Sequence, residues 1–206
     1  MPPVAEAKRP LKRTRLSPVE RRAQLIDCAI AACAEYGLAR VTHSHIAERS
    51  GISVPAVHSY FRTRDDLVAA VLEVVEQELS EIVLGLLTAQ GPVRDCMDNL
   101  ADRFQRLARE EPDKLKVWLD WSTGVGADIW PRYVALNDQF LDAANRLLIR
   151  GKREGVIVSG LDTRAAARLY IGGGHTVVLM QFAGVSKRDI DAYNAQLIDM
   201  IVGQKN

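Results

Sequence analysis

Residues 42–61, THSHIAERSGISVPAVHSYF, leave the backbone few choices. Gly51 falls where two short helical runs must join by a sharp turn, and a positive φ there is cheap only for Gly. Ala47, four residues earlier, is small enough to let two helices cross closely. Ile46, Ile52, Val57 and Tyr60 are spaced to meet in a miniature core. This is the pattern of a helix-turn-helix, with Pro55, Ala56, His58 and Ser59 left on the outer face. Those side chains are short, which lets such a helix approach base edges in a DNA major groove. An ordinary helical hairpin is the plainer alternative.

The flanking boundaries agree with that pattern. Ser17-Pro18-Val19-Glu20 is a capping box with Pro at the first helical position. Leu25, Ile26, Ala29, Ile30, Cys33 and Tyr36 then recur at helical spacing until Gly37. Thr42 is placed to cap the second helix, Ser53 the third, and Thr63 a fourth whose first turn carries Asp65 and Asp66. A three-helix module over 17–64, a preceding arm over 1–16 and a helical domain over 65–206 follow.

Charge divides along the same line. The chain is nearly neutral at +1, yet residues 1–64 hold 11 Lys/Arg against 5 Asp/Glu, and the remainder 16 against 21. A basic end on an acidic body suits nucleic-acid binding by that end alone. Lys8, Arg9, Lys12, Arg13 and Arg15 lie among prolines in a segment too polar to bury a core, so disorder in solution is expected. It is either a solvated tail or an arm for the neighbouring minor groove. It lacks the apolar run of a signal peptide.

Beyond residue 64 one helical pattern follows another. Leu67, Val71, Val74, Val75 and Ile82 stripe the first, and Gly91-Pro92, Pro112, Asp162 and Ser186 mark later starts. A long helix is expected over about 128–153. No apolar run reaches the roughly 18 residues of a membrane span. The expectation is an all-α, soluble, cytoplasmic protein with no membrane partner.

Trp118, Trp121 and Trp130 are the chain's only tryptophans. Each can be plain core, but their clustering suggests a flat-walled ligand cavity, with Asp120, Asn137, Gln139, His175 and Gln181 as candidate polar contacts. Gly172-Gly173-Gly174 inside a helical segment costs roughly 3 kcal/mol relative to Ala. Close helix approach at a dimer interface is one explanation, and a local break shaping the cavity another.

Catalysis finds little support. His43, His45 and Glu48 lack a third ligand at zinc spacing, and no nucleophile elbow, P-loop or Rossmann fingerprint occurs. Cys28, Cys33 and Cys96 show no CxxC spacing and suit reduced thiols. No metal or cofactor is expected, and no enzyme activity.

The tract VPAVHSYFRTRDDLVAAVL, running into a long fourth helix, resembles the TetR family of transcriptional regulators. KRPLKRTRLSP and LKVWLDWSTGVGADIWP resemble the arm and tryptophan-rich segment of its LuxR/HapR/SmcR group, quorum-sensing regulators of vibrios. The resemblance covers nearly the whole chain. It implies a homodimer on a pseudo-palindromic double-stranded operator, with DNA-binding heads and a C-terminal domain that dimerises and encloses a pocket. By match, Arg13 and Arg15 enter the minor groove, Tyr60 contacts phosphate and Trp118 lines the pocket. Pro55, His58 and Ser59 depart from the group's Ala, Phe and Asn, so its operator and target genes are not carried over.

The DNA-facing set is therefore expected to be Arg13, Arg15, Thr42, Ser44, Ser53, Pro55, Ala56, His58, Ser59, Tyr60 and Thr63. The effector set is Trp118, Trp121, Trp130, Phe140, Asn137, His175 and Gln181. By resemblance, Leu169, Gly173, Val177, Met180, Ile190, Leu197 and Ile201 form a four-helix dimer seam. A ligand-gated regulator and a constitutive one controlled by abundance both fit.

Overall fold

The computed structural model describes residues 16–203, so Arg13 and Arg15 lie outside the described residues. Within them the chain is all α, without strands. A head is formed by α1 (Pro18–Tyr36), α2 (His43–Ser50) and α3 (Val54–His58). The body comprises α4 (Arg64–Leu87), α5 (Val93–Glu110), α6 (Pro112–Thr123), α7 (Trp130–Arg153), α8 (Thr163–Phe182) and α9 (Lys187–Val202). No described helix is long and apolar enough to cross a membrane.

Local chemistry sets these boundaries. Ser17 and Glu20 close the capping box of α1, and Thr63 and Asp66 close that of α4. Asp162 Oδ1 accepts from the N–H groups of Arg164 and Ala165, and Ser186 Oγ from that of Asp189. Each cap satisfies donors that the first helical turn leaves without intrahelical partners.

In the body, α8 packs against α5, α7 and α9, while α4 reaches from α1 across to α5 and α7. On α5, Val93, Cys96, Met97, Leu100, Phe104, Leu107 and Ala108 all fall on the buried face. Helix α6 is the second bridge between head and body, packed on α1 as well as on α5 and α7.

The glycine triplet does not break α8, which runs unbroken through it. Gly173 faces α9 of the same chain: a Cβ there would lie 2.4 Å from Leu197 Cδ2 and 3.2 Å from the Tyr193 hydroxyl. The close approach is thus internal, between α8 and α9. A Cβ on Gly172 meets nothing within 4 Å. Gly172→Ala should therefore raise the unfolding free energy by about 0.8–1 kcal/mol, the helix-propensity gain. Gly173→Ala should gain nothing, because Leu197 must give way. Urea titration of the two variants checks this; a destabilised Gly172→Ala would reveal another surface resting on that face.

The expected seam needs the same correction. Gly173, Val177, Ile190 and Ile201 are buried within the single chain and cannot present themselves to a partner. Leu197 is half-buried against Gly173, and Met180 is half-buried. Of that set only Leu169 is fully exposed, at 59%, and it shares the outer faces of α8 and α9 with Leu179, Phe182 and Met200. Apolar periodicity was present on both faces of α8, and the inner face is the one that packs on α9.

Candidate functional site

The head is assembled from short-range contacts. Thr42 Oγ1 accepts from the His45 N–H at 3.4 Å while His45 Nδ1 accepts from the Thr42 N–H at 3.3 Å. The His45 ring also stacks on Tyr36, with centroids 3.9 Å apart. Gly51 takes φ 67° in the left-handed region, and its N–H donates to the Ala47 carbonyl. The chain then re-enters a helix at Ser53, whose side chain accepts from the Ala56 N–H. Ile46 and Val57 are fully buried, while Ile52 and Tyr60 are half-buried. Phe61, 2% exposed, closes this small core, and the spacing argument passed over it.

Helix α3 is only five residues long; Ser59 is its C-cap and Tyr60 lies beyond it. Thr42, Ser44, Ser53, Pro55, His58, Ser59 and Thr63 are exposed, and Ala56 is half-buried. His58 is not free to swing. Its ring stacks on His43 at 3.9 Å and 14° between planes, and its Nδ1 donates to the Arg62 carbonyl at 3.3 Å. His43 is itself buried and donates from Nε2 to the Phe61 carbonyl at 2.8 Å. His43 and His45 thus have structural partners, and His58 is presented outward on a fixed platform.

The body holds a narrow cavity of about 40 Å³ lined by residues of all six of its helices, α4 to α9. Its walls include Leu100, Phe104, Trp118, Phe140, Tyr170 and Asn194. Trp118 meets the edge of Phe104 at 5.7 Å and packs on the His175 ring at 4.0 Å. The Tyr170 hydroxyl donates to the Met97 carbonyl at 2.7 Å, and burial pushes that phenol well above its ordinary range. Asn194 is 8% exposed, and its Nδ2 has no hydrogen-bond partner among the described residues.

Of the expected effector set, Trp118 and Phe140 line this cavity; Trp121, Trp130, Asn137, His175 and Gln181 do not. Trp121 is fully buried, donates from Nε1 to the Ile129 carbonyl at 2.9 Å and meets the edge of Tyr133. Trp130 is half-buried and stacks on Tyr133. His175 stands behind Trp118, 3.2 Å from the Tyr133 hydroxyl; burial pushes its imidazole below the ordinary value, against a backbone hydrogen bond to Ile171. Asn194 had a signal in the sequence that went unused: it is the polar residue in the apolar α9 stripe Ile190, Leu197, Ile201.

Residues 25–71 match the family described as bacterial regulatory proteins, tetR family. Over 195 residues the chain is 29% identical to the HTH-type transcriptional regulator LuxR of Vibrio harveyi, covering 95% of this chain and 94% of that one. Residues 25–71 thus carry a TetR-type DNA-binding domain. Solved structures share the fold. A TetR-family regulator from Agrobacterium tumefaciens superposes at a TM-score of 0.79 with 16% identity, over 90% of this chain and all of its own. FadR of Bacillus subtilis, in complex with stearoyl-CoA, gives 0.69 with 17% identity, over 89% of this chain and 99% of its own.

Head and body are joined at Leu38, in the turn between α1 and α2. Its N–H donates to Asp120 Oδ2 of α6 at 2.7 Å, and its carbonyl accepts from Arg64 at the start of α4. Asp120, singled out as a polar contact for a ligand, instead binds the head. Beneath the joint, burial pushes the Cys33 thiol up to about 12, with Asp120 adding to the shift, so it stays protonated and unreactive.

Proposed function

We infer that the protein is a DNA-binding transcriptional regulator of the TetR type, similar over most of its length to LuxR of Vibrio harveyi. We propose that it acts as a homodimer on a pseudo-palindromic operator, and that a small effector in the body cavity sets its affinity. Each head would lay α3 in a major groove, with His58 and Ser59 toward base edges. Thr42, Ser44, Ser53 and Thr63 would meet the backbone along with Tyr60, and Arg13 and Arg15 the adjacent minor groove.

One observation supports effector control above all: Trp118, a cavity wall, and Asp120, the acceptor for Leu38 of the head, sit two residues apart on α6. An effector that shifts Trp118 would tilt the carboxylate holding the head. FadR, with this fold, binds stearoyl-CoA. A ligand shifts such an equilibrium only by its difference in affinity between the two states, and operator DNA must change ligand affinity by the same factor. The tightness of the cavity favours the second reading, a constitutive regulator controlled by abundance.

Binding-site selection tests the base readout. Selection with His58→Ala and Ser59→Ala should change the preferred bases at particular operator positions, by about 1–3 kcal/mol per lost contact. Tyr60→Phe should weaken binding evenly across sequences, since a phosphate contact carries no base information. Identical preferences for wild type and both alanine variants would remove His58 and Ser59 from the readout.

A further inference from the structure

The cavity wall also constrains what can enter it. Ten of its residues are aliphatic, aromatic or glycine apart from Trp118, Tyr170 and Asn194, and no Asp, Glu, Lys, Arg or His side chain lines it. A carboxylate or ammonium placed there would lose its hydration without gaining a countercharge, which excludes charged occupants. The Tyr170 hydroxyl already donates its proton to Met97. Asn194 differs, because its buried Nδ2 donates to nothing among the described residues. A buried donor without an acceptor is a standing penalty that any acceptor brought to it relieves.

We propose that the cavity selects a neutral, largely apolar molecule bearing a hydrogen-bond acceptor such as a carbonyl oxygen, and that the Asn194 amide is the residue that selects it. This rests on the effector reading above. Phe104, Trp118 and Phe140 supply flat apolar walls, which must part from the present void of about 40 Å³ for a ring or unsaturated chain to pack between them. Asn194 then fixes orientation: an isostere lacking the acceptor leaves Nδ2 as it is, whereas the correct molecule satisfies it. Discrimination of this kind, made by a polar group otherwise left unpaired, exceeds what apolar fit provides.

The test uses the full-length protein and three probes of similar size: acetophenone, isopropylbenzene and benzoate. Binding is measured by calorimetry and by the ligand-dependent rise in melting temperature. Wild type should bind acetophenone at least tenfold more tightly than isopropylbenzene, and benzoate not detectably. In Asn194→Leu the preference for acetophenone should vanish or reverse. Asn194→Ala, which removes the amide without adding bulk, should likewise lose the preference and serves where the leucine variant does not fold. The proposal is overturned if acetophenone does not bind wild type at millimolar concentration, if benzoate binds as tightly, or if both variants keep the wild-type preference. Operator titration with and without acetophenone separates the two levels. Asn194-dependent binding without a change in operator affinity keeps the ligand class and removes the gating. A change in operator affinity independent of Asn194 does the reverse.

Discussion

Replacing Trp121 with Ala is expected to destabilise the protein by about 3–5 kcal/mol, the range for truncating a large buried aromatic. Trp121 has no exposed surface, and its indole N–H is the donor for the Ile129 carbonyl. Its ring meets the edge of Tyr133 at 5.8 Å, and the Arg132 guanidinium lies over its face. The side chain therefore pins the turn after α6 to the first residues of α7. Ala leaves a cavity and takes from the half-buried Ile129 carbonyl the shorter of its two hydrogen bonds, the other coming from the Tyr133 N–H at 3.4 Å. Trp121→Phe keeps most of the packing and should cost much less. The contrasting case is Trp130→Ala, which removes a half-buried ring stacked on Tyr133 and should cost about 1 kcal/mol. Urea unfolding of the three variants decides; similar midpoints for Trp121→Ala and Trp130→Ala would mean that the turn is held by something else.

That contrast shows where sequence reasoning stops. The helix starts at Ser17, Thr42, Thr63, Asp162 and Ser186 were legible because a cap is a local event, settled within three residues by one side chain and the N–H groups ahead of it. Gly51 was legible for the same reason: the turn needs φ near +67° there. The tryptophans were not separable, because residues three apart on α6 are neighbours on its surface yet here meet different partners. Trp118 turns toward α5 and the cavity, Trp121 toward α7. The two faces of α8 were no more separable. Leu169 and Val177 both satisfy a helical apolar period, and only the position of α9 decides which is covered.

Contacts distant in sequence were invisible for a related reason. Nothing near Asp120 in the chain announces that it accepts from Leu38, 82 residues away, nor that His43 will carry the ring of His58. Both matter to function, since each fixes part of the head. The first ties the α1–α2 turn to the body; the second sets the direction in which an outward side chain of α3 points. Recognition residues can be listed from the sequence, but their rigidity belongs to the tertiary structure.

Removing residues 1–15 is expected to weaken operator binding ten- to a hundredfold and to make log K less steep in log salt by about 2, if Arg13 and Arg15 alone are lost as counterion-releasing contacts at about 0.9 each. The reason lies in the charge balance. Five of the 11 basic residues before position 65 stand in the arm, and residues 16–64 then hold 6 against 4 acidic ones. Five of those six are engaged within the protein: Arg49 pairs with Glu35, Arg64 donates to Leu38, Arg40 to Tyr36 and Arg21 to Gln24, and Arg22 lies over the Phe61 ring. Without the arm the head has little net positive charge to draw a phosphate backbone. The loss should be greatest on operators whose flanks are A·T-rich, where the minor groove is narrow and its potential most negative. Arg13→Ala with Arg15→Ala should reproduce most of the effect of truncation, while alanine at Lys8, Arg9 and Lys12 should change neither the salt slope nor the flank preference appreciably. Fluorescence anisotropy on operators with A·T and G·C flanks, at several salt concentrations, reads all of these. Equal affinity and slope for the truncated protein would make the arm a bystander and leave recognition to α2, α3 and the start of α4.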